Sequence, residues 1–385
     1  MRIAIMSRWN ATCGVSLHAE LIGRRFVRLG HEVIVFAPTL ESANRDWHHK
    51  PIEIRDEPWV YRVYEETEEY DYPYGGRIDF KTVLREDYDV FIVEGYQRFP
   101  IYEFKKIVNE VKRKAPLVLV VHVGYVRDLD PYMEINWDAI VVFDKRYANE
   151  MIALYGKNAL EKTIIIPYPF AVIDGARPYR PDFAKDKVLF ITYGRQPLFE
   201  YYDYLQALRR LSMKYDIVYW IIRSDTQLPF KDSWIIQWKK RPDIKTLYSY
   251  VMGSDIHLLP KSDTRAVVVS STIAQILYSG TPTVVPNTRY FETIPVDENG
   301  FGPVVEYEIG NIIDLYKKLE LLIEDRDIRR KVSMSARKFA LSYSDRIIAR
   351  KFISLFEELI AIREKIVGRV RIIERIRRAL KKYVS

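Results

Sequence analysis

Short apolar runs alternate along this chain with stretches in which apolar residues recur every three or four positions. Arg2–Met6 reads as a strand, and the polar loop Ser7–Gly14 follows it. Ser16 is placed to cap a helix to about Leu29, Gly30 ends it, and Val33–Phe36 is the next strand. Further strands are predicted at Val60–Tyr64, Asp89–Val93, Leu117–Val121, Asp138–Val142 and Thr163–Ile166. Helices are predicted near Ile101–Lys114 and in the run that ends at Tyr155. Glu65–Arg77, acidic and tyrosine-rich, reads as a loop.

Pro167–Pro181 holds four prolines and little periodicity, and the pattern restarts beyond it. Strands are predicted at Val188–Tyr193, Ile217–Ile222, Trp234–Gln237 and Asp255–Leu259. Helices are predicted near Phe199–Lys214, Asp243–Met252, Gly310–Glu324 and Asp327–Ser342, and from Ser344–Asp345 to Ile362. Strands alternating with helices build mostly parallel, doubly wound sheets, so the fold class is α/β with two Rossmann-like domains across a cleft. The expected organisation is an N-terminal domain 1–170, a linker 171–186, a C-terminal domain 187–343, a closing helix 344–362 and a basic amphipathic tail 363–385.

Val267–Pro286 is the stretch richest in chemistry. Three β-branched residues run into Ser270, Ser271 and Thr272, then a short apolar-periodic helix, Gly280, Pro282 and a second β-branched run. Hydroxyls and free amides at a helix start suit an anion, although a capped structural helix has the same signature. The first βα loop carries Gly14 alone, so the dinucleotide pattern G-x-G-x-x-G is not met.

Charge narrows the partners. The net charge is +8, but residues 363–385 hold nine Lys/Arg and two Glu, which leaves the body near neutral. No nucleic-acid partner is expected for such a body. The tail's wide apolar face with basic flanks fits an anionic membrane surface, its rivals being a coiled-coil seam or a frayed solvated end. No run of 18 apolar residues occurs, and Arg2–Met6 is better a strand than part of a leader, so a cytoplasmic location, peripheral at the membrane, is expected. Cys13 alone excludes an internal disulfide and fits a reducing compartment. The high charge, many tyrosines and single cysteine point toward a thermophilic source. Among six histidines no metal-binding spacing is apparent, and His48–His49 reads as a surface pair. Asp128-Leu129-Asp130 spells D-x-D, but in a loop remote from the phosphate-type stretch, and reads as a solvated turn.

The order of the pieces resembles the GT-B nucleotide-sugar glycosyltransferases, in particular the retaining family that includes glycogen synthase and bacterial mannosyltransferases. The resemblance rests on Gly14-Val15 with GHEVIVF (30–36), VLVVH ending at His122, and WDAIVVFDKRYANEM (137–151). IIIPYP (164–169), TYGR (192–195) and SSTIAQILYSGTPTVV (270–285) complete it. It implies transfer of a hexose from a nucleoside-diphosphate sugar, with retention, to a glycan or lipid-linked acceptor, with no cofactor and no essential metal.

The resemblance also implies residue roles. Gly14 lets the first loop approach the donor, His122 hydrogen-bonds the donor sugar, and Arg195 contacts the diphosphate. Ser270, Ser271 and Thr272 meet the phosphates, and Gln275 meets a ribose hydroxyl. On the acceptor side, Tyr70, Tyr72, Tyr74 and Tyr125 are candidates to stack a sugar face or lipid head group. Three positions depart from the family. Gln275 stands for a glutamate, Val267 falls where another is usual, with Asp263 a substitute only if the loop shifts, and Glu200 falls where a lysine is usual. Lys261 and Arg265 are the cations near enough in sequence to offset Glu200, and Glu292 matches a commonly acidic position. The departures keep open a scaffold that retains the fold without donor chemistry. A related two-domain fold performing epimerisation or phosphorolysis is a third reading, without evident extra carboxylates.

Overall fold

The computed structural model describes residues 1–44 and 55–383, with side chains placed except at Asn44 and 366–383. His48, His49 and the tail's apolar and basic side chains from Ile366 onward lie outside the described side chains. Among the described residues, fourteen strands form two sheets. The first contains β1 (Arg2–Met6), β2 (Glu32–Pro38), β3 (Val60–Glu65), β4 (Arg77–Ile78), β5 (Val90–Gly95), β6 (Leu117–Val121), β7 (Ala139–Val142) and β8 (Thr163–Ile165). Their order is β4-β3-β2-β1-β5-β6-β7-β8, and only β4 runs antiparallel to its neighbour.

The second sheet contains β9 (Val188–Tyr193), β10 (Ile217–Arg223), β11 (Ile235–Lys239), β12 (Ile256–Leu258), β13 (Thr283–Pro286) and β14 (Val305–Tyr307). Its order is β11-β10-β9-β12-β13-β14, all parallel. Central strands such as β1, β5, β6 and β10 are apolar on both faces because helices cover both sides. The α/β expectation with two doubly wound sheets is therefore met.

Local departures have identifiable causes. The first helix is Gly14–Arg28, and Cys13, not Ser16, caps it: Cys13 Sγ accepts from the Ser16 amide at 3.5 Å. The Ser16 hydroxyl is instead committed to the Ala11 amide at 2.9 Å and to Glu20 at 2.6 Å. The helix expected over 101–114 is two pieces, Ile101–Lys105 and Val108–Lys114, because Ile107 leaves helical geometry at φ −109, ψ 0. The run ending at Tyr155 is a wide turn, Tyr147–Met151, followed by a tight one, Ile152–Tyr155. Asp128-Leu129-Asp130 is not a solvated turn. It lies in the helix Val126–Met133, with Asp128 buried and its carboxyl pushed up by that burial.

Two crossings join the lobes side by side. The Phe170 amide donates to Tyr343 O at 2.8 Å, and the Asp345 amide donates to Phe170 O at 3.0 Å. The helix that begins at Asp345 then returns to the first lobe, where Phe356 meets Phe26 at 5.8 Å and Arg25 pairs with Asp345 at 2.7 Å. This helix continues to Tyr383. Among the described residues no helix is long and apolar enough to cross a membrane.

The lobes also touch directly. The Val267 amide donates to Gly124 O at 2.9 Å, so tightly that a Cβ at Gly124 would sit 2.8 Å from Val267 O. Arg146 of the first lobe binds Glu292 at 2.8 Å and the carbonyls of Arg289 and Val268 at 2.7 and 2.8 Å. Arg289 Nη2 in turn donates to both carboxylate oxygens of Glu150 at 2.7 and 2.8 Å. Glu292 is thus an interlobe contact.

Candidate active site

In open parallel sheets, ligands collect at the carboxyl ends of strands where the connection order reverses. That point falls between β1 and β5 in the first sheet and between β9 and β12 in the second. After β9 the chain runs Gly194-Arg195, and shortly after β12 it reaches Lys261. Both cations therefore flank the reversal point of the second sheet.

A cleft of about 780 Å³ opens there between the lobes. Arg195, Lys261, Ser271, Thr272 and Gln275 line it from the second lobe, and Thr12 and Cys13 from the first. Arg195 reaches across, its Nη2 donating to Thr12 O at 2.8 Å. A planar guanidinium with several donors suits two phosphate oxygens at once. Lys261 is part-buried, and burial pushes its ammonium pKa down while Glu200 pulls it up. Its Nζ lies 5.0 Å from the centre of the Tyr290 ring, a further cation-stabilising contact.

Glu200, which occupies the place of the family's lysine, faces away from this task. Its Oε1 accepts from the amide and hydroxyl of Ser262, both at 2.8 Å, and so pins the loop that carries Lys261. Lys261 brings a positive charge to the cleft from the loop after β12. Val267 is buried in the interlobe contact and carries no cleft function, while Asp263 is exposed, its carboxylate 3.4 Å from the Arg289 amide.

The helix at the phosphate-type stretch is Ser271–Ile276, six residues long, capped by Ser270, whose Oγ accepts from the Ile273 amide at 3.3 Å. Ser270 thus commits its hydroxyl to the helix cap and lines a second, mainly apolar cavity, not the cleft. A helix this short supplies little dipole, so hydroxyls and cations dominate the cleft's pull on an anion. Tyr193 steadies the helix: its hydroxyl donates to Thr272 O at 2.8 Å and lies 3.2 Å from Gln275 Oε1. In the sequence, Tyr193 stands out only as one residue of TYGR (192–195).

The remaining candidates are placed as follows. Gly14 abuts Ser271, with room for a Cβ only at 3.1 Å, and Tyr168 holds its carbonyl at 2.6 Å. Arg265 is exposed and does not line the cleft. His122 follows β6 directly but does not line the cleft either; its side chain is 6% exposed and turns toward Glu94. Tyr72 is tied by its hydroxyl to Asp128 O at 2.7 Å. Tyr70, Tyr74 and Tyr125 are exposed, Tyr74 against Tyr102 and Tyr125 beside Arg127.

The structure also assembles what the sequence hid. His18, Glu94 and His122 present three ligand atoms within 4.8 Å of one another, a cluster not apparent from spacing. Arg8 and Glu66 form a buried pair, Nε to Oε1 at 2.5 Å and Nη2 to Oε2 at 3.1 Å, and Tyr96 donates its hydroxyl to the same carboxylate at 2.7 Å. Burial opposes the Arg8 charge, but Glu66 and Tyr96 more than offset it. In both cases the signal was a charged residue beside or inside a strand otherwise apolar on both faces.

No protein-family model matches the chain. Solved structures do resemble it. HepE of Anabaena, in complex with UDP and glucose, is 13% identical with a TM-score of 0.63, over 93% of this chain and 100% of that one. A glycosyltransferase from Rickettsia africae is 15% identical with a TM-score of 0.64, over 93% and 98%. The catalytic domain of starch synthase IV from Arabidopsis thaliana, bound to ADP and acarbose, is 12% identical with a TM-score of 0.59, over 94% and 99%. At these identities the likeness is one of fold, and it establishes that the chain adopts the two-lobed GT-B architecture.

Proposed function

We propose that this protein is a glycosyltransferase that moves a hexose, with retention, from a nucleoside-diphosphate sugar to a glycan or lipid-linked acceptor. The observation that carries the reading is the convergence of Arg195, Lys261 and the Ser271 and Thr272 hydroxyls on one interlobe cleft. The similar folds of HepE in complex with UDP-glucose and starch synthase IV bound to ADP support a nucleotide-sugar as the ligand class.

Departure of the diphosphate is the demanding step, because negative charge grows on its oxygens as the glycosidic bond lengthens. Arg195 and Lys261 are fixed before that charge develops, so little reorganisation is needed when it does. An arriving diphosphate also supplies the counter-charge that burial withholds from Lys261. Gln275, oriented by Tyr193, lines the same cleft and is proposed to meet a ribose hydroxyl. These groups stabilise the leaving group without a metal or a cofactor.

A thermal-shift screen of the full chain with UDP-, GDP- and ADP-sugars tests the reading. A donor at a hundred times its Kd adds about 2.7 kcal/mol of stability. In a chain of this size that raises Tm by roughly 3 °C. No shift with any donor contradicts the proposal.

The acceptor is proposed to lie on the first lobe, near the exposed rings of Tyr74 and Tyr125. The basic segment 363–385 is proposed to rest on an anionic membrane surface, each cation contributing about 1 kcal/mol. The full chain is expected to float with anionic liposomes and a chain ending at Ile362 to stay in solution. Equal flotation would contradict this.

A further inference from the structure

One guanidinium outside the cleft ties the second lobe's anion-binding pieces to the first lobe. Arg146 follows β7 of the first lobe, and its side chain is 14% exposed. Every N–H donor of the guanidinium finds an acceptor. Nε donates to Asp144 Oδ1 at 3.0 Å and Nη2 to Asp144 Oδ2 at 2.8 Å, which fixes the plane of the fork from within the first lobe. The remaining donors reach across. Nη2 donates to Val268 O at 2.8 Å, and Nη1 donates to Arg289 O at 2.7 Å and to Glu292 Oε2 at 2.8 Å. Burial opposes the charge on Arg146, but Asp144 and Glu292 more than offset it. The neighbouring Arg289–Glu150 pair is more open to solvent, Glu150 being 45% exposed, and contributes less.

The places of those acceptors give the contacts their meaning. Val268 lies between Val267, whose amide donates to Gly124 O at 2.9 Å, and the cap residue Ser270. The stretch leading into the helix Ser271–Ile276 is therefore fastened to the first lobe at two backbone points. Arg289 and Glu292 flank Tyr290 in the turn after β13, and the Tyr290 ring lies 5.0 Å from Lys261 Nζ. Ser271, Thr272 and Lys261 line the cleft, and Arg146 does not. The opposite wall, at Thr12 and Cys13, belongs to the first lobe. Bonds that hold both pieces of the second lobe against the first lobe thus also set the width of the cleft.

We propose that Arg146 is a positioning residue that sets the separation of Ser271, Thr272 and Lys261 from the wall at Thr12 and Cys13 before a ligand arrives. The fastening stands on the geometry alone, while its service to a diphosphate rests on the function proposed above. A lysine cannot replace it, because an ammonium has no planar fork to hold Asp144 on one edge and the second lobe on the other.

Hydrogen exchange on the full chain without ligand tests the fastening. Arg146→Met and Arg146→Lys are both expected to speed exchange of the Val267 amide by about 10–10²-fold, the loss of one charge-assisted hydrogen bond. Amides of β1 and β6 are expected to exchange as in wild type, which shows that the first lobe is intact. Titration with UDP, GDP and ADP tests the positioning. Whichever of them the wild type binds is expected to bind both variants about 10–10²-fold more weakly, with no rescue by lysine. Exchange at Val267 equal to wild type overturns the proposal, and so does faster exchange with an unchanged Kd. If Arg146→Met fails to fold, Arg146→Lys, which keeps the charge beside Asp144, decides. A wild type that binds none of the three nucleotides refutes the diphosphate reading and the positioning role with it, while faster exchange in the variants would leave the fastening established.

Discussion

Arg195→Ala is expected to lower kcat/KM for nucleotide-sugar turnover by about 10²–10³-fold, the usual loss when one preorganised donor to a developing oxyanion is removed. Arg195 follows β9 at the reversal point of the second sheet, and its guanidinium already spans the gap to Thr12 O at 2.8 Å. Lys261→Ala is expected to cost about 10–10²-fold, in line with one charged hydrogen bond. The two losses should combine less than additively, because both groups act on one diphosphate. Steady-state assays with the donor found by thermal shift check both. An Arg195→Ala enzyme within twofold of wild type would remove the diphosphate from this cleft.

The largest expected effect on stability lies at Arg8. Arg8→Met should destabilise the fold by about 3–5 kcal/mol, because Glu66 would be left buried with no opposite charge. Arg8 and Glu66 are 4% and 2% exposed. Tyr96 continues to donate to Glu66 at 2.7 Å and Tyr64 shares its hydroxyl at 2.8 Å, but neither supplies a positive charge. The paired variant Arg8→Met with Glu66→Leu should recover much of the loss, since removing both ions also removes the cost of burying them. Urea unfolding of the three proteins measures this. A single variant as stable as wild type would show that the pair is solvated.

Much of the architecture was legible because doubly wound sheets write themselves as strong periodicity. β1, β6 and β9 begin and end within a residue of expectation, since each is a continuous apolar run bounded by polar or turn residues. Boundaries failed where tertiary contacts outweighed local signals: Ser16 was drawn from capping by Glu20, and Ile107 broke a helix that its sequence would have continued. D-x-D was misread because polarity was taken for exposure, whereas Asp128 sits on the inner side of a helix.

The second-lobe side of the cleft was legible through Gly194-Arg195 and the hydroxyl run. Glu200 looked disabling in one dimension, and only the folded loop shows it holding the segment that brings Lys261 in. The His18–Glu94–His122 cluster could not be found by spacing, since its members lie 76 and 28 positions apart. The available hint was the glutamate within VFIVEG, a charge in a strand buried on both faces.

The central claim is that this interlobe cleft holds a nucleoside diphosphate through Arg195 and Lys261. Thermal shift of the full chain with nucleotide-sugars, wild type beside the double variant Arg195→Ala/Lys261→Ala, tests it most directly. The account predicts that one nucleotide class raises the wild-type Tm by several degrees and leaves the double variant unmoved. An equal rise in both proteins, or none in the wild type, would contradict it.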